Sequence, residues 1–286
     1  MKKNKVSFFN LNLIKKTSLL YFGTISVLET IHALLNSFHI NIYELFVIIL
    51  IFPIILFSLR YHYNRQKKIT LKIGKSDIEI KEGNILANDV FENKKIIKVF
   101  AFNEYFDTLV DNQVISKSSL NGKFLDQKVP NISILNKRMY RSKRLKESLL
   151  CKNKKRKDGK QNKYKLGTVF KYSEDVFLTA MTHFDDKNRA YLSIQDYVMF
   201  LIKFWDEIDS MYAGRTVVIT LFGSGITRLE NKMFNNNQIL QIILWTFWIR
   251  RIKFTKPAKF VILLDKQTSE EINYYTVREW FYGLQK

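Results

Sequence analysis

The stretch TVVITLFGSGITR, Thr216–Arg228, joins a strand pattern to a glycine-rich turn. Its first residues form a short apolar run rich in β-branched side chains, which is typical of a buried strand. The turn places Ser224 between Gly223 and Gly225, and glycines allow backbone N–H groups to converge on an anion. The turn by itself leaves two roles open: it binds a phosphate, or it only reverses the chain.

Strand patterns alternate with helical patterns from Ile69 onward. Residues 194–212 place apolar side chains at helical spacing, and residues 239–254 are apolar almost all round. The second stretch is too short to span a bilayer, so we interpret it as a buried core helix. Strands interleaved with helices predict an α/β domain with a mixed or mostly parallel sheet. The other strand candidates are ITLKIG (69–74), DIEIKEG (77–83), KIIKVFAF (95–102), TVFKYSE (168–174), VFLTAMTHF (176–184) and KFVILLD (259–265).

Two polar segments follow predicted strands directly. NEYFD (Asn103–Asp107) comes after KIIKVFAF, and FGSGITR (222–228) comes after TVVITL. In open α/β sheets, ligands bind outside the carboxyl ends of the strands. This position favours the phosphate-binding role of the glycine turn.

The composition indicates an anionic partner and a reducing compartment. The 286 residues carry 47 Lys and Arg against 26 Asp and Glu, a formal net charge of +21. Nucleic acid, a phosphate-bearing ligand or the inner face of a membrane would match this charge. The single cysteine, Cys151, excludes an intramolecular disulfide, and the four scattered histidines form no zinc-ligand pair, so we predict no metal.

Two apolar runs near the N-terminus, about residues 18–35 and 42–59, each just reach the length of a spanning helix. Lysines precede the first run, Arg60 and Arg65 follow the second, and the short connection has neither Lys nor Arg. The positive-inside rule therefore predicts a two-pass hairpin in the inner membrane with both termini cytoplasmic. We predict a hairpin domain over 1–66 and a cytoplasmic domain over 67–286.

Other interpretations of this hairpin stay open. A cleaved signal peptide has a similar lysine-rich start, but no small-residue cleavage site follows and a second apolar run comes at once. A buried hairpin of a soluble fold is the other alternative. Glu29 and His32 lie one helical turn apart, which indicates helix–helix assembly, a conduction path, or a shallow first helix whose polar face meets headgroups.

A basic region follows in the cytoplasmic part. Residues 132–149 form a basic amphipathic stretch, and Cys151–Lys165 is a basic loop without an apolar pattern. The loop is either solvated or acts at anionic headgroups or at a ligand pyrophosphate. Neither an RRM pattern nor a helix-turn-helix pattern accompanies it, so we predict no nucleic-acid partner.

Several stretches occur in an order that resembles the macro domain, the ADP-ribose-binding α/β/α fold. The resemblance covers nearly everything after the hairpin and predicts an α/β fold: a two-helix transmembrane hairpin followed by a macro-like α/β/α sandwich with a mixed sheet. The longer strings NEYFDTLVDNQVISKSSLNGKF, HFDDKNRAYLSIQDY and AGRTVVITLFGSGITR are similar to the transmembrane-macro effectors of bacterial Thoeris antiviral defence. The macro-like stretches are IKEGNI (80–85), VFAFNEYFD (99–107), SLNGKF (119–124), LGTVF with FLTAMTHFD (166–185) and VVITLFGSGI (217–226).

The resemblance implies a set of ligand-binding residues. Asn84 stands where the family has an adenine-site aspartate, Asn103 matches the asparagine at the distal ribose, and Gly122 falls in the first phosphate loop. The second phosphate loop starts at Gly223. Asp107 and Asp111 are candidates to hold a ribose. The predicted set is Asn84, Ile85, Asn103, Asp107, Asp111, Gly122, Gly223, Ser224, Gly225, Ile226, Thr227 and Arg228.

We predict binding without turnover, with no catalytic residue and no cofactor. The macro domains that hydrolyse ADP-ribosyl bonds usually carry a denser glycine stretch in the first loop, whereas SKSSLNGKF (116–124) has one glycine. A membrane-anchored ADP-ribosyl hydrolase with Asp107 or Asp111 as general base is the alternative. We interpret His183 as a satisfied core residue.

The Thoeris resemblance also implies a mechanism. A TIR-domain partner would make an ADP-ribose derivative, for which the family suggests a histidine conjugate. Its binding would drive homo-oligomerisation, and the hairpins would disrupt the membrane lipid and cause abortive infection. The remaining alternative is a basic membrane scaffold that binds nucleic acid or anionic lipid.

Overall fold

The computed structural model describes residues 5–34, 42–225, 228–229, 233–250, 252, 254 and 257–282. The chain forms two compact units. The first consists of Met1–Lys67 with Asn273–Trp280, and the second of Lys68–Ile272 with Phe281–Lys286. The predicted domain limits, 1–66 and 67–286, place the segment Asn273–Trp280 in the cytoplasmic domain, whereas here it belongs to the first unit.

The first unit is built on two helices, α1 (Leu11–Leu34) and α2 (Ile42–Arg65). Both extend beyond the predicted runs on the side of the basic residues. Here Leu13, Tyr63 and Tyr275 are buried in one apolar cluster, and the Arg60 Nε donates to the carbonyl of Val6 at 2.8 Å. The helix ends rich in Lys and Arg are therefore packed together.

Farther along, both helices expose apolar side chains. The segment Phe46–Arg65 is long and apolar enough to cross a membrane. The predicted span over 18–35 and the two-pass topology stay predictions. Glu29 is exposed, whereas the connection 35–41 and the side chain of His32 lie outside the described residues. The exposed large apolar residues include Leu19, Phe22, Val27, Leu28, Ile31, Phe46, Val47, Ile49, Leu50, Ile54 and Phe57.

The second unit is a mixed sheet flanked by helices. The strands are β1 (Lys68–Ile73), β2 (Ser76–Glu82), β3 (Ile96–Asn103), β4 (Leu149–Lys152), β5 (Asn162–Tyr164), β6 (Val169–Lys171), β7 (Val176–Phe184), β8 (Ala190–Leu192), β9 (Thr216–Thr220), β10 (Arg228–Leu229) and β11 (Phe260–Leu264). The helices are α3 (Asn88–Phe91), α4 (Leu120–Lys128), α5 (Ile132–Arg141), α6 (Lys143–Glu147), α7 (Ile194–Met211), α8 (Asn236–Ile249), α9 (Lys266–Glu271) and α10 (Tyr274–Tyr282), the last of which runs through both units.

The main sheet has the order β1-β2-β11-β9-β3-β7-β8-β10, with β6 also paired to β7. Five consecutive strands of this order run parallel to one another: β2, β11, β9, β3 and β7. β1 pairs antiparallel to β2, and both β6 and β8 pair antiparallel to β7. β10 is parallel to β8. From β3 the chain goes to β7 on one side and later returns to β9 on the other. The boundary between β3 and β9 is thus a topological switch point, where α/β sheets bind ligands.

Apolar layers cover both faces of the sheet. On one face, Phe100 of β3 stacks on Phe124 of α4 with ring centroids 4.2 Å apart. On the other, Trp205 of α7 packs edge-on against Phe260 of β11 at 4.9 Å, and its indole N–H donates to Thr246 of α8 at 3.1 Å. This is the α/β/α sandwich predicted from the sequence.

Three sequence predictions need revision in this unit. The predicted core helix 239–254 is α8, which starts earlier because Asn235 caps it with a capping box and which ends at Ile249. The stretch 132–149 is divided at Ser142, whose hydroxyl caps α6. The segment Cys151–Lys165 is not a plain loop, because its ends pair as the antiparallel hairpin β4–β5.

A buried ion pair connects the beginning of β3 with the residue that precedes β7. Lys98 is fully buried in β3, and its Nζ lies 2.8 Å from Asp175 Oδ2, just before β7. Burial lowers the pKa of Lys98. Burial opposes ionisation of Asp175 as well, yet hydrogen bonds from Lys98 and Ser173 lower the pKa of this carboxyl to about 2.

Replacing Lys98 by alanine should destabilise the domain by about 3–5 kcal/mol, because the carboxylate of Asp175 would stay buried without its main partner. Lys94 contacts the same oxygen at 3.2 Å but is 80% exposed. Lys94→Ala should therefore cost at most about 1 kcal/mol. Urea unfolding of the full chain in detergent micelles measures both, and equal losses would contradict the assignment.

The same pair should make stability depend on pH in acid. The folded-state pKa of Asp175 is below its unfolded value, so its stabilisation is complete above about pH 4. It is lost as pH falls from about 4 to about 2, where the folded-state carboxyl takes up its proton. Thermal unfolding from pH 5 to pH 2 should show a smaller acid slope for Asp175→Asn than for the parent chain.

Candidate ligand-binding site

An open cavity of about 1510 Å³ lies at the carboxyl ends of the parallel strands. It is lined by segments that follow β2, β3, β7, β9 and β11, and by the first turn of α4. Ligand pockets commonly measure about 300–1,000 Å³, so this cavity has room for a dinucleotide-sized molecule. Its position is the one predicted from NEYFD and FGSGITR.

The glycine turn after β9 lines this cavity with Gly223, Ser224 and Gly225. Gly223 has a φ of +93°, which other residues rarely adopt. The Tyr197 hydroxyl donates to the carbonyl of Phe222 at 2.6 Å. Burial raises the pKa of Tyr197 well above its usual value, so the hydroxyl keeps the proton that it donates to the turn.

The end of this turn is only partly described. Ile226 and Thr227, both predicted to bind ligand, lie outside the described residues. The backbone of Arg228 begins β10 and pairs with Tyr191 of β8. The side chain of Arg228 also lies outside the described part of the chain, so its predicted role stays a prediction.

A second group of backbone donors comes from the start of α4. The Ser119 hydroxyl caps this helix by accepting from the N–H of Gly122 at 3.0 Å. Leu120 and Asn121, which line the cavity, occupy the first turn, where N–H groups have no intrahelical acceptor. Such a helix start attracts anions.

Gly122 itself does not line the cavity. A Cβ at this position would lie 2.2 Å from the carbonyl oxygen of Ser116. The glycine lets α4 start directly against the 116–117 backbone. The structure therefore gives Gly122 a supporting role for the first loop, where the sequence predicted a ligand contact.

Asn84 and Ile85 follow β2 and line the cavity, as predicted for the adenine end. The Asn84 Oδ1 accepts from the N–H of Leu86 at 2.9 Å, which holds this loop in a turn. Ile85 is almost completely buried and offers an apolar wall.

Asn103 also lines the cavity, at a point where the β3–β7 register shifts by one residue. Its Oδ1 accepts from the N–H groups of Tyr105 and Asp107 at 3.0 and 3.3 Å. Its Nδ2 donates to Asp107 Oδ2 at 2.9 Å. The amide thus closes the turn after β3 as well as facing the cavity.

Asp107 is fully buried and does not line the cavity. Besides Asn103, its carboxylate accepts from both terminal nitrogens of Arg156, at 3.1 and 2.7 Å, and from the backbone N–H of Lys160 at 2.7 Å. The carboxylate is enclosed by these donors. The predicted contact with a ribose has no support in this geometry.

Asp111 is exposed and likewise does not line the cavity. Its Oδ1 accepts from the N–H groups of Val114 and Gln113 at 2.7 and 2.8 Å, and these bonds lower the pKa of Asp111. Asp111 stabilises the turn whose next residues, 112–116, form part of the cavity wall.

The sequence patterns did not identify Arg156 and Lys160 as residues that stabilise the loops around the cavity. Arg156 reaches Asn188 Oδ1 at 2.7 Å, a residue of the cavity wall, and lies 4.1 Å over the ring of Tyr105. The Lys160 Nζ donates to the carbonyl of Phe106 at 2.6 Å, and burial lowers its pKa to about 8. The solvated interpretation of the basic loop is therefore wrong for these two residues. No periodicity in the Lys/Arg run distinguishes them from their exposed neighbours.

His183 belongs to a separate buried cluster. Its Nδ1 lies 2.5 Å from an oxygen of Glu104, a fully buried carboxylate that also accepts from Lys163 at 3.1 Å. His183 is thus a satisfied residue, as we interpreted it from the sequence, but it lies near the end of β7 with a partly exposed side chain and not in the core. Within the described ranges, no group of three His, Cys, Asp or Glu side chains is arranged to hold a metal ion.

A mixed α/β/α sandwich with two anion-attracting turns at its switch point defines a ligand-binding domain of the macro class. The family model of the macro domain of Thoeris protein ThsA matches residues 78–265. The Thoeris protein ThsA of Bacillus amyloliquefaciens (strain Y2) is 40% identical over 214 residues, which cover 74% of this chain and 70% of that protein.

The chain therefore belongs to the ThsA macro-domain family of Thoeris proteins. This confirms the resemblance found in the sequence. Membership implies involvement in anti-phage defence, and a macro domain of this type is a ligand-binding domain for ADP-ribose derivatives.

Replacing Arg156 by alanine should destabilise the second unit by about 3–5 kcal/mol, because Asp107 would remain buried with two donors fewer. Hydrogen exchange at residues 186–190 should also become faster, because Asn188 loses its contact. Arg250→Ala provides the matched control, since Arg250 pairs with Asp206 at an exposed site away from this segment. An Arg156→Ala chain as stable as the control would show that Asp107 does not need this partner.

Proposed function

We propose that this protein is a membrane effector of anti-phage defence whose macro domain senses an ADP-ribose-type signal. The observation that carries the proposal is the presence of the first turn of α4, with Leu120 and Asn121, and of the glycine turn 223–225 at one cavity. The signal would be made by a TIR-domain partner and would be ADP-ribose itself or a conjugate such as histidine-ADP-ribose.

The proposed pose follows the order of the cavity walls. The diphosphate lies between the glycine turn and the first turn of α4, where N–H groups and the helix dipole favour negative charge. The adenine lies toward Asn84 and Ile85, and the distal ribose toward Asn103. Lys123 and Lys266 also line the cavity and add positive charge.

Binding without turnover is the mode that the described geometry supports best. The two carboxylates considered as general bases do not reach the cavity: Asp107 is enclosed by its donors and Asp111 closes a turn. A general base must come within hydrogen-bond reach of its proton. The alternative, a membrane-anchored hydrolase, would therefore need another base.

The effector step is proposed from the first unit. α1 and α2 expose apolar side chains over most of their length, and α2 holds a segment able to cross a membrane. We propose an inner-membrane protein with two passes and both termini in the cytoplasm. Ligand binding shifts it toward a homo-oligomer, and the clustered helices disrupt the bilayer and cause abortive infection.

Gly225→Val tests the binding site. Nothing lies within 4 Å of a Cβ at this position, so the fold should tolerate the larger side chain. The valine would occupy the space that a phosphate needs, and the affinity should fall at least about tenfold, or ~1.4 kcal/mol. Ser210→Val, on the exposed end of α7, is the control and should leave the affinity unchanged.

The measurement is calorimetric titration of the full chain in detergent with ADP-ribose and with its histidine conjugate, followed by chromatography of the mixture. Binding of an intact ligand that only Gly225→Val weakens supports the sensor. Ligand breakdown would favour the hydrolase, and absence of binding to either compound would refute the proposed ligand class. Dye release from liposomes, with and without ligand, then tests the effector step.

A further inference from the structure

We propose that α5, α6 and the hairpin β4–β5 form a docking surface for an anionic lipid bilayer. This basic surface spans residues 132–164. Over residues 131–165 the chain carries fourteen Lys and Arg against two acidic residues, Glu147 and Asp158. The inference rests on the proposed membrane location, and it is independent of ligand binding in the cavity.

One side of these elements is buried in the core. Leu135 and Met139 of α5, Leu145 of α6 and Tyr164 of β5 all belong to the apolar cluster that contains Phe100 and Phe124. Their burial fixes the orientation of each element. The exposed side chains of these elements consequently point away from the core.

The outward side of α5 carries an apolar and basic stripe. Three exposed residues follow one another at intervals of three and four positions: Ile134, Lys137 and Arg141. This spacing places them on one helix face. Tyr140 is 75% exposed beside them, and Lys146 of α6 lies 5.9 Å from its ring. The two helices thus share one outer face.

Exposed apolar side chains accompany the positive charge along the whole surface. Leu149 and Leu150 of β4 are 41% and 52% exposed, and Ile134 is 55% exposed. A hydrogen bond of 2.9 Å between Thr108 and Asn136 holds the exposed Leu109 next to α5. Basic residues mixed with leucine, isoleucine and tyrosine are typical of elements that lie in the headgroup region of a bilayer.

Two groups can be distinguished among these cations. Arg144, Arg156 and Lys163 pair with acidic residues of the framework and hold the basic surface in place. The second group is exposed and forms no ion pair with any residue of the described chain. Its members are Lys137, Arg141, Lys152, Lys154, Lys155 and Lys157.

This second group favours lipid as the partner. Unpaired surface cations are attracted to anionic headgroups within a Debye length. Nucleic acid would match the charge as well. Its binding, however, relies on phosphate contacts and base stacking, to which exposed leucines do not contribute. Only Gln66 and Lys67 separate α2 from β1, so the second unit begins two residues after the proposed spanning helix.

Cys151 provides the experiment, because it is the single cysteine of the chain and lies exposed in β4. The full chain, labelled at Cys151 with a polarity-sensitive fluorophore, is reconstituted into nanodiscs containing brominated phosphatidylcholine. One set of discs also contains 30% phosphatidylglycerol. Fluorescence quenching by the bromine atoms reports contact of β4 with the bilayer.

We expect quenching at least about twofold stronger in the discs with phosphatidylglycerol, and its loss at about 0.5 M salt. The triple variant Lys137→Glu/Arg141→Glu/Lys155→Glu should abolish the difference. Lys72→Glu/Lys75→Glu/Lys95→Glu makes the same charge change at exposed lysines elsewhere and should retain it. Ile134→Ser/Leu150→Ser should weaken the quenching while leaving its salt dependence.

Equal quenching in both kinds of disc, or no effect of the triple variant, would overturn the proposal. Release of the labelled surface by short duplex DNA or RNA at low concentration would assign it to nucleic acid and would also overturn it. Flotation of the chain with discs of pure phosphatidylcholine tests the membrane location separately. Titration of ADP-ribose in the same discs tests the proposed sensor. Failure of the docking surface, of the membrane location and of ligand binding can therefore be told apart.

Discussion

The buried carboxylate of Asp107 is the constraint on which the site depends. A carboxylate without solvent contact must be paired and hydrogen-bonded, and Asp107 meets this requirement with donors from Asn103, Arg156 and Lys160. These donors come from the end of β3 and from the hairpin β4–β5. Arg156 also donates a hydrogen bond to Asn188 in the cavity wall. One buried charge thereby joins three loops that would otherwise be free to move.

The cavity follows from this frame and from the direction of the strands. Five parallel strands place their carboxyl ends at one edge, and the order in which the chain adds strands reverses between β3 and β9. Tyr197 holds the glycine turn at this edge from the helix layer below. The glycine turn and the first turn of α4 then line the same cavity, and the proposed recognition of a diphosphate relies on this arrangement of backbone more than on side-chain charge.

Positive charge has different roles in different parts of the second unit. Lys98 and Arg156 are buried and each holds a carboxylate, so their function is structural. Six exposed cations of the basic surface, from Lys137 to Lys157, form no ion pair in the described chain and are the ones that we propose to meet lipid headgroups. The positive charge of the second unit therefore includes an internal framework as well as exposed, unpaired groups.

Much of the fold follows from local patterns. The alternation in ITLKIG, the apolar run before Gly223 and the spacing in 194–212 each predict the element that forms, because one buried face per element is enough to define its period. The glycine turn at a strand end likewise predicts the location of the cavity, since parallel strands end at a common edge.

Other features were decided only by the tertiary structure. The enclosure of Asp107, the supporting role of Gly122 and the burial of Arg156 and Lys160 depend on contacts between segments as far as 54 residues apart. Local sequence patterns do not predict these contacts, because burial of a charged group is favourable only where a distant partner pairs with it. The sequence by itself determined the elements and the edge of the sheet at which the cavity opens, and the packing of distant loops decided which polar residues line that cavity.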